Sequence, residues 1–129
     1  MARVVTPAEG QRLSLPGRIS TEILSGKTGA AGVTVRRVEI PVPVAGETPR
    51  GPHLHRDFEE CMFVLSGEGT TQTESGAHPL RPGDTILLPA GEAHVTRNTG
   101  KVPLVLLCFF PVANVAAGTE DLPARPEAQ

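Results

Sequence analysis

Two histidines separated by a single residue, His53 and His55, are the first part of the sequence with evident chemical potential. On a β-strand, residues i and i+2 project from the same face and lie about 6–7 Å apart along the strand. Two imidazoles in that arrangement can bind one metal ion at adjacent coordination positions. The pair is weak evidence by itself, because two surface histidines on one strand are more common than a metal site.

A carboxylate follows the histidine pair at an offset that requires a turn. Glu60 lies five residues after His55, so in one continuous strand it would face the opposite way. The segment 56–59 must therefore turn the chain, and Asp57 suits a turn. Glu59 competes with Glu60 as the metal ligand, because a shift of one residue in the strand exchanges the two faces.

A third imidazole lies in a separate predicted strand. His94 comes soon after the turn sequence Pro89-Ala90-Gly91. Thr96 and Asn98 alternate with it along the strand that begins there, so the three side chains share one face. The histidine is thus placed at the start of a strand that otherwise forms part of a β-sheet wall.

The residue composition excludes several kinds of chemistry. The chain has four Phe, no Tyr and no Trp, which excludes a tyrosine phenolate base and stacking on an indole ring. The formal net charge is −2 and Lys and Arg are scattered, so the basic patch typical of nucleic-acid binding is missing. Cys61 and Cys108 lie in apolar runs and are predicted to be buried free thiols, unless the fold brings them together as a pair.

Short β-rich runs alternate with turns along most of the chain. Gly and Pro contribute 14 and 13 of the 129 residues, and they form turn sequences at short, regular intervals. The intervening runs include 62–65, 85–88 and 104–110, and no window of a dozen residues has a convincing helical period. The pattern predicts an all-β sandwich or barrel, and the length fits one domain.

Two blocks of the sequence resemble the two signature motifs of the cupin superfamily. The blocks consist of Gly51, His53, His55, Glu60 and Gly67, and of Gly83, Pro89, Gly91, His94 and Asn98. The second block matches the family pattern in every spaced position. The first departs from it once, because only Pro52 separates the leading glycine from the first histidine. The short separation between the blocks is similar to that of the compact single-domain cupins.

The resemblance implies a small antiparallel jelly-roll β-barrel that holds one divalent transition metal per chain. The ligands that it implies are His53, His55, Glu60 and His94. Three neutral imidazoles and one carboxylate suit Fe, Mn, Ni, Cu or Zn, and they are too rich in nitrogen for Mg or Ca. Four protein ligands on an octahedral ion leave two positions for water, substrate or O₂.

Strand alternation predicts further residues around the metal ligands. Met62 and Val64 share a face with Glu60 and are predicted to form an apolar pocket wall. Thr96 and Asn98 are predicted to line the pocket beside the third histidine, although an asparagine there more often caps the following turn. For the strand predicted over 33–40, alternation leaves open which face is inward.

Several charged side chains have no assigned role in this prediction. His78 is predicted to be exposed and without function. Four arginines could neutralise an anionic substrate, although a solvated surface position is the more common fate of an arginine. These are Arg37, Arg50, Arg56 and Arg97.

The chain is predicted to consist of three segments. Residues 1–30 form an N-terminal strand or arm that packs on the barrel or on a dimer partner, 31–112 form the cupin barrel, and 113–129 form a flexible C-terminal tail. The N-terminus has no apolar stretch of signal-peptide length, and the longest apolar run, 102–115, is too short and too broken to span a membrane. A cytoplasmic homodimer without membrane or nucleic-acid partners is the expectation.

The expected function follows from the metal, since no catalytic residue beyond the metal ligands can be assigned. The leading hypothesis is a dioxygenase-type oxidoreductase, in which a small substrate, expected to be anionic, chelates the ion and O₂ takes the remaining position. One alternative is a redox-neutral isomerase, decarboxylase or cyclase that uses the ion as a Lewis acid. The other is a metal-dependent binding protein for small molecules that catalyses no reaction.

Overall fold

Eleven β-strands form two antiparallel sheets in the computed structural model, which describes residues 1–124. The six-stranded sheet has the order β1 (Gln11–Leu13), β2 (Ile19–Leu24), β3 (Thr34–Ile40), β10 (Leu104–Phe110), β5 (Glu60–Ser66) and β8 (Thr85–Leu88). The five-stranded sheet has the order β11 (Thr119–Asp121), β4 (His53–His55), β9 (His94–Asn98), β6 (Gly69–Thr73) and β7 (Gly76–Leu80). Three short 3₁₀ turns, Pro7–Glu9, Gly26–Thr28 and Ala116–Gly118, are the helical elements of the described residues. The prediction of an all-β antiparallel jelly roll is confirmed.

The hydrophobic core lies between the two sheets and is built by strand alternation. In β5 the side chains of Glu60, Met62 and Val64 are buried, while Leu65 is 43% exposed on the outer side. The neighbouring β10 is paired so that Cys108 lies opposite Met62, and it contributes every second side chain to the same core. Because one face of each strand is apolar, this register is strongly favoured over a slip by one residue.

The inward face of β3 carries an arginine among apolar residues. Thr34, Val38 and Ile40 are buried on this face, and Arg36 between them is partly buried. The Arg36 Nε donates a hydrogen bond of 2.9 Å to Glu22 on β2, and the guanidinium lies 5.4 Å from the centre of the Phe110 ring. The ion pair and the ring together compensate the partial burial of the charge.

The described part of the C-terminal segment differs from the prediction of a flexible tail over 113–129. Its strand β11 pairs with β4, so that Thr119 lies opposite His55, and Val115 is 3% exposed in the core. The Leu122 N–H donates to the Pro52 carbonyl at 2.8 Å. A Cβ at Gly51 would overlap the Leu122 carbonyl oxygen, so a glycine is required where the two segments cross. Residues 125–129 lie outside the described part of the chain.

The N-terminal segment also lies in the barrel wall. Strand β2 pairs with β3, and Ser20 lies opposite Val38. The two cysteines are free thiols, with Cys108 buried on the inner side and Cys61 half-buried on the outer side of the same sheet. Among the described residues, no helix has the length and apolar composition that a membrane span requires.

The packing of the C-terminal segment can be tested through its one buried valine. We expect Val115→Ala to lower the free energy of unfolding by about 2 kcal/mol, because two methyl groups leave the core. As a control, Val44→Ala removes a side chain that is 71% exposed and should cost less than about 0.5 kcal/mol. Urea unfolding followed by far-ultraviolet circular dichroism measures both changes. Equal losses in the two variants would show that the segment does not pack on the barrel.

Candidate metal centre

Four side chains with donor atoms converge between the two sheets. His53 and His55 project from one face of β4, and the β4–β9 pairing places His53 opposite His94. Glu60 reaches the same point from β5 in the other sheet. One donor atom from each of the four residues lies within 4.8 Å of the other three. The structure therefore brings together the four residues that were predicted as metal ligands, in an arrangement that could hold one ion.

The turn between β4 and β5 decides which glutamate faces inward. Glu60 is 4% exposed, whereas Glu59 is exposed to solvent. The register is set by Phe58, which is buried and stacks on the His55 ring with 5.0 Å between the ring centres. Gly118 lies directly against the Phe58 ring, where a Cβ would approach to 2.6 Å. Sequence reasoning missed this phenylalanine, because its only signal was one apolar residue in a polar turn.

Hydrogen bonds on the outer side of the cluster fix the tautomers of two histidines. The Thr119 hydroxyl donates to the Val115 carbonyl at 2.7 Å, so its oxygen must accept the 2.9 Å bond from His55 Nδ1. The Nδ1 of His94 lies 3.1 Å from the Glu92 carbonyl, which can only accept. In both rings the hydrogen is therefore on Nδ1, and Nε2 offers a lone pair to the interior of the cluster.

These tautomers create an electron-rich centre that requires a cation. The Nε2 atoms of His55 and His94 lie 3.0 Å and 3.1 Å from the same carboxylate oxygen, Oε1 of Glu60. Three atoms with lone pairs at such distances repel one another unless protons or a metal ion lie among them. The donor set of imidazoles and a carboxylate suits a divalent transition metal, so the residues present fit such an ion.

The pKa values of Glu60 and His53 are shifted toward the protonation states that bind a metal ion. Burial opposes ionisation of Glu60, but the imidazoles of His55 and His94 prevail when their Nε2 atoms carry the protons that a metal ion would displace, and they then lower the pKa of the carboxyl below its usual value. Burial, together with the neighbouring His94, lowers the pKa of His53 to about 3. At neutral pH the carboxylate is therefore ionised and His53 is neutral, which are the states that bind metal ions.

The cluster lies in the wall of a cavity of about 220 Å³. Met62 and Thr96 line this cavity, as predicted, but Val64 and Asn98 do not belong to its lining. Val64 is fully buried farther along β5 in the core. Asn98 donates hydrogen bonds to the carbonyls of Ile40 and Val102 and accepts one from the Gly100 N–H. These bonds close the turn after β9 and connect the two sheets.

One of the four candidate arginines, Arg50, lines the cavity and does not occupy a solvated surface position. Arg50 is half-buried, and its Nη2 donates to the Thr96 carbonyl. Burial, together with the charge of Arg18, lowers the pKa of Arg50 to about 10, so the guanidinium stays charged at neutral pH.

Arg18 and Asp121 also line the cavity and were missed, because they lie in segments outside the recognised motifs. Of the other candidate arginines, Arg37 and Arg56 are exposed and Arg97 is partly buried, and all three lie outside the cavity lining.

Two other residues with reactive side chains, Cys108 and His78, are buried or half-buried. Cys108 lines the cavity, and burial raises the pKa of its thiol well above the usual value. His78 is half-buried, and its Nε2 lies 3.1 Å from the Thr73 hydroxyl and 3.3 Å from the Ser75 hydroxyl. The prediction that this histidine is exposed is wrong, because the β6–β7 hairpin folds these hydroxyls onto it.

Sequence comparison relates the chain to one protein family and to several known proteins. The family profile described as Cupin domain matches residues 41–110, which is more than half of the 129-residue chain. An uncharacterised protein from Methanocaldococcus jannaschii is 35% identical over 77 residues, which are 60% of each chain. A glucose-6-phosphate isomerase from Pyrococcus horikoshii is 34% identical over 64 residues, with 46% of this chain and 34% of the isomerase covered. An oxalate-binding protein from Thermotoga maritima is 32% identical over 60 residues, with 46% of this chain and 50% of that protein covered.

The solved structures that are similar to the chain share its whole fold. The nucleoside dehydratase Pac13 from Streptomyces superposes with a TM-score of 0.77 at 17% identity and covers 98% of this chain and 95% of its own. At that identity the likeness concerns the fold. The curated relatives named above are matched over 60% of their length or less, and the family profile covers residues 41–110 of this chain.

The choice of Glu60 over Glu59 gives a direct test of the metal centre. We expect the wild type to retain close to one transition-metal ion per chain, and Glu60→Gln to retain less than about a tenth of it, because an amide oxygen replaces the only anionic ligand. The matched variant Glu59→Gln should retain the wild-type content. Elemental mass spectrometry measures the metal, and amino-acid analysis measures the protein, since the chain has no Tyr or Trp. Loss of metal in Glu59→Gln alone would contradict the register.

Proposed function

The chain belongs to the cupin family, and from that premise we propose that it binds a small anionic molecule and transforms it on a divalent transition metal. His53, His55, Glu60 and His94 would hold the ion. The observation that carries this proposal is the convergence of the four donor atoms within 4.8 Å of one another, in the wall of a cavity that arginines also line. When bound, Fe, Mn, Ni, Cu or Zn supplies a Lewis acid that polarises substrate oxygen atoms, and the redox-active ions also permit O₂ chemistry.

The charges around the cavity support an anionic substrate. Arg18 and Arg50 both line it, and a guanidinium group stays protonated at neutral pH. Arg36 also lines it, but its charge is compensated by Glu22. Among the described residues, the carboxylates of the cavity lining are the candidate ligand Glu60 and Asp121. The names of two relatives agree with this charge, because oxalate and glucose 6-phosphate are small anions.

The protein's own residues would orient the substrate and limit its contact with water. Val38, Ile40, Met62 and Leu106 form an apolar part of the wall, where electrostatic interactions are stronger than in bulk water. Asp121 lies on β11 at the exposed side of the cavity. Its carboxylate is the candidate proton acceptor from a bound substrate, since the other carboxylate is a ligand of the ion.

We place the redox-neutral reactions, isomerisation, decarboxylation or cyclisation, ahead of the oxygenase reaction. The name of the isomerase relative supports this order, as does Asp121, because redox-neutral reactions of this type need a proton acceptor. The oxygenase is the second candidate, since a nitrogen-rich donor set suits Fe(II). A binding protein without turnover is the third, supported by the name of the oxalate-binding relative.

The three candidates are separated by measuring binding and turnover with and without oxygen. We expect the metal-loaded protein to convert one or more members of a panel of small carboxylates, hydroxy acids and sugar phosphates under anaerobic conditions. The Zn form of the protein should convert the same compounds. Conversion that requires O₂ and a redox-active metal would select the oxygenase instead. A rise in Tm without conversion would select the binding protein. Glu60→Gln is the control, and a metal-loaded wild type that neither binds nor converts any member would refute the proposal.

We further propose that two copies of the chain form a homodimer through the outer face of the six-stranded sheet. Leu87 is 58% and Phe109 38% exposed on this face, and the register places them on either side of Cys61. Exposed apolar side chains in contiguous positions are typical of interfaces. The strand β1, which was expected to take part in dimer contacts, is an edge of the same sheet.

Light scattering tests the dimer against the chain mass of 13.6 kDa. We expect the wild type to have twice that mass, and the double variant Leu87→Glu, Phe109→Glu to have the single mass, because charges cannot be buried in an apolar interface without a large cost. Val44→Glu, at an exposed loop position, is the matched control and should stay dimeric. A wild type at the mass of one chain would contradict the proposal.

A further inference from the structure

The hydroxyl of Ser20 is buried without a partner in the cavity wall. Ser20 on β2 is fully buried, and among the described residues its Oγ is the one buried side-chain oxygen or nitrogen without a hydrogen bond. The residue lines the same cavity as the metal ligands. Because buried hydroxyls nearly always have a hydrogen-bond partner, one that lacks it inside a cavity points to a ligand.

Arg18 lies two residues earlier and reaches the same cavity. Within the described chain its guanidinium makes one hydrogen bond, from Nη1 to the Pro16 carbonyl at 2.8 Å, and no ion pair. Its remaining N–H groups are therefore available for a ligand. The next charged residue, Glu22 on β2, is already paired with Arg36, so Arg18 and Ser20 are the cavity-lining residues of this segment with unused polar groups.

A second guanidinium lies beside this pair. The side chain of Arg50 passes close to Gly17, where a Cβ would lie 3.1 Å from Arg50 Cδ. Arg50 therefore packs against the backbone next to Arg18, and both side chains line the cavity. Two neighbouring cations in a partly buried site repel each other, and an anion between them relieves this repulsion.

We propose that Ser20 and Arg18, assisted by Arg50, form an anion subsite that binds a second charged group of the substrate, one that does not itself chelate the ion. This inference rests on the proposed function: one end of the substrate chelates the ion, and the other end carries a carboxylate or a phosphate. All three side chains can donate hydrogen bonds and two are positively charged, so the subsite selects an anionic oxygen group over a neutral hydroxyl. The substrate is thus a bifunctional anion.

The subsite is tested with pairs of acids that share a chelating head and differ in the distal group. In one arm 2-oxobutyrate is compared with 2-oxoglutarate and 2-oxoadipate, which add a carboxylate. In the other, pyruvate is compared with phosphonopyruvate, which adds a phosphonate. Isothermal titration calorimetry on the Zn-loaded protein gives the affinities without redox turnover. In at least one arm we expect the dianion to bind at least about tenfold more tightly than the monoanion, because hydrogen bonds to charged groups contribute that much affinity.

The variants separate this subsite from the metal centre. In Ser20→Ala and in Arg18→Gln the preference for the dianion should fall to about twofold or less, while the affinity for the monoanion stays that of the wild type. Ser14→Ala, at an exposed serine of the same segment, should keep the full preference. The Tm of Ser20→Ala should equal or exceed that of the wild type, because the hydroxyl has no partner to lose.

Three outcomes would overturn the inference while leaving the proposed function intact. The first is that the wild type binds monoanions and dianions with equal affinity in both arms of the experiment. The second is that the preference for the dianion persists in Ser20→Ala. The third is that the Tm of Ser20→Ala is lower than that of the wild type, which would mean that the hydroxyl forms a hydrogen bond within the protein. A wild type that carries one metal ion per chain but binds neither monoanion nor dianion would refute the proposed function, and the subsite with it.

Discussion

The Glu60 carboxylate lies between two imidazoles, and both rings already use their outer nitrogen for a hydrogen bond to Thr119 or to Glu92. A buried carboxylate that faces only lone pairs would be strongly destabilised, so cations must lie among these atoms. Because the glutamate belongs to one sheet and the histidines to the other, this requirement acts across the barrel. Protons or a metal ion among these atoms would therefore also hold the two sheets together, as the general coupling of metal binding to folding implies.

Much of this centre could be predicted from the sequence, because its residues lie in two local motifs with fixed spacing. Strand alternation correctly placed Met62 and Thr96 beside the ligands. It failed for Val64 and Asn98, since alternation gives the face of a strand but not the depth along it. Val64 is one step farther into the core than the cavity, and Asn98 is bound to backbone groups near the end of its strand. The motifs also could not reveal Phe58, whose role depends on its contact with His55.

The parts that the sequence did not predict come from distant segments of the chain. The C-terminal segment was expected to be flexible, since its Ala- and Pro-rich composition has no period. One buried valine, Val115, and three residues of β11 suffice to attach it to the barrel. The same segment supplies Thr119, which orients His55, and Asp121 at the cavity. On the N-terminal side, the alternation of Arg18, just before β2, with Ser20 and Glu22 on β2 was visible in the sequence, but its inward direction depends on the pairing of β2 with β3.

The cavity is lined by residues of different origin in the chain. The four candidate metal ligands lie within residues 53–94 of the matched family region, whereas Arg18, Ser20 and Asp121 lie outside it. The family profile thus covers the candidate ligands but not these three side chains. On the proposed function, substitutions in the terminal segments would change which anion is selected without disturbing the ligands. One barrel could then serve different substrates, because the chemistry would come from the ion and the selection from side chains that the termini supply.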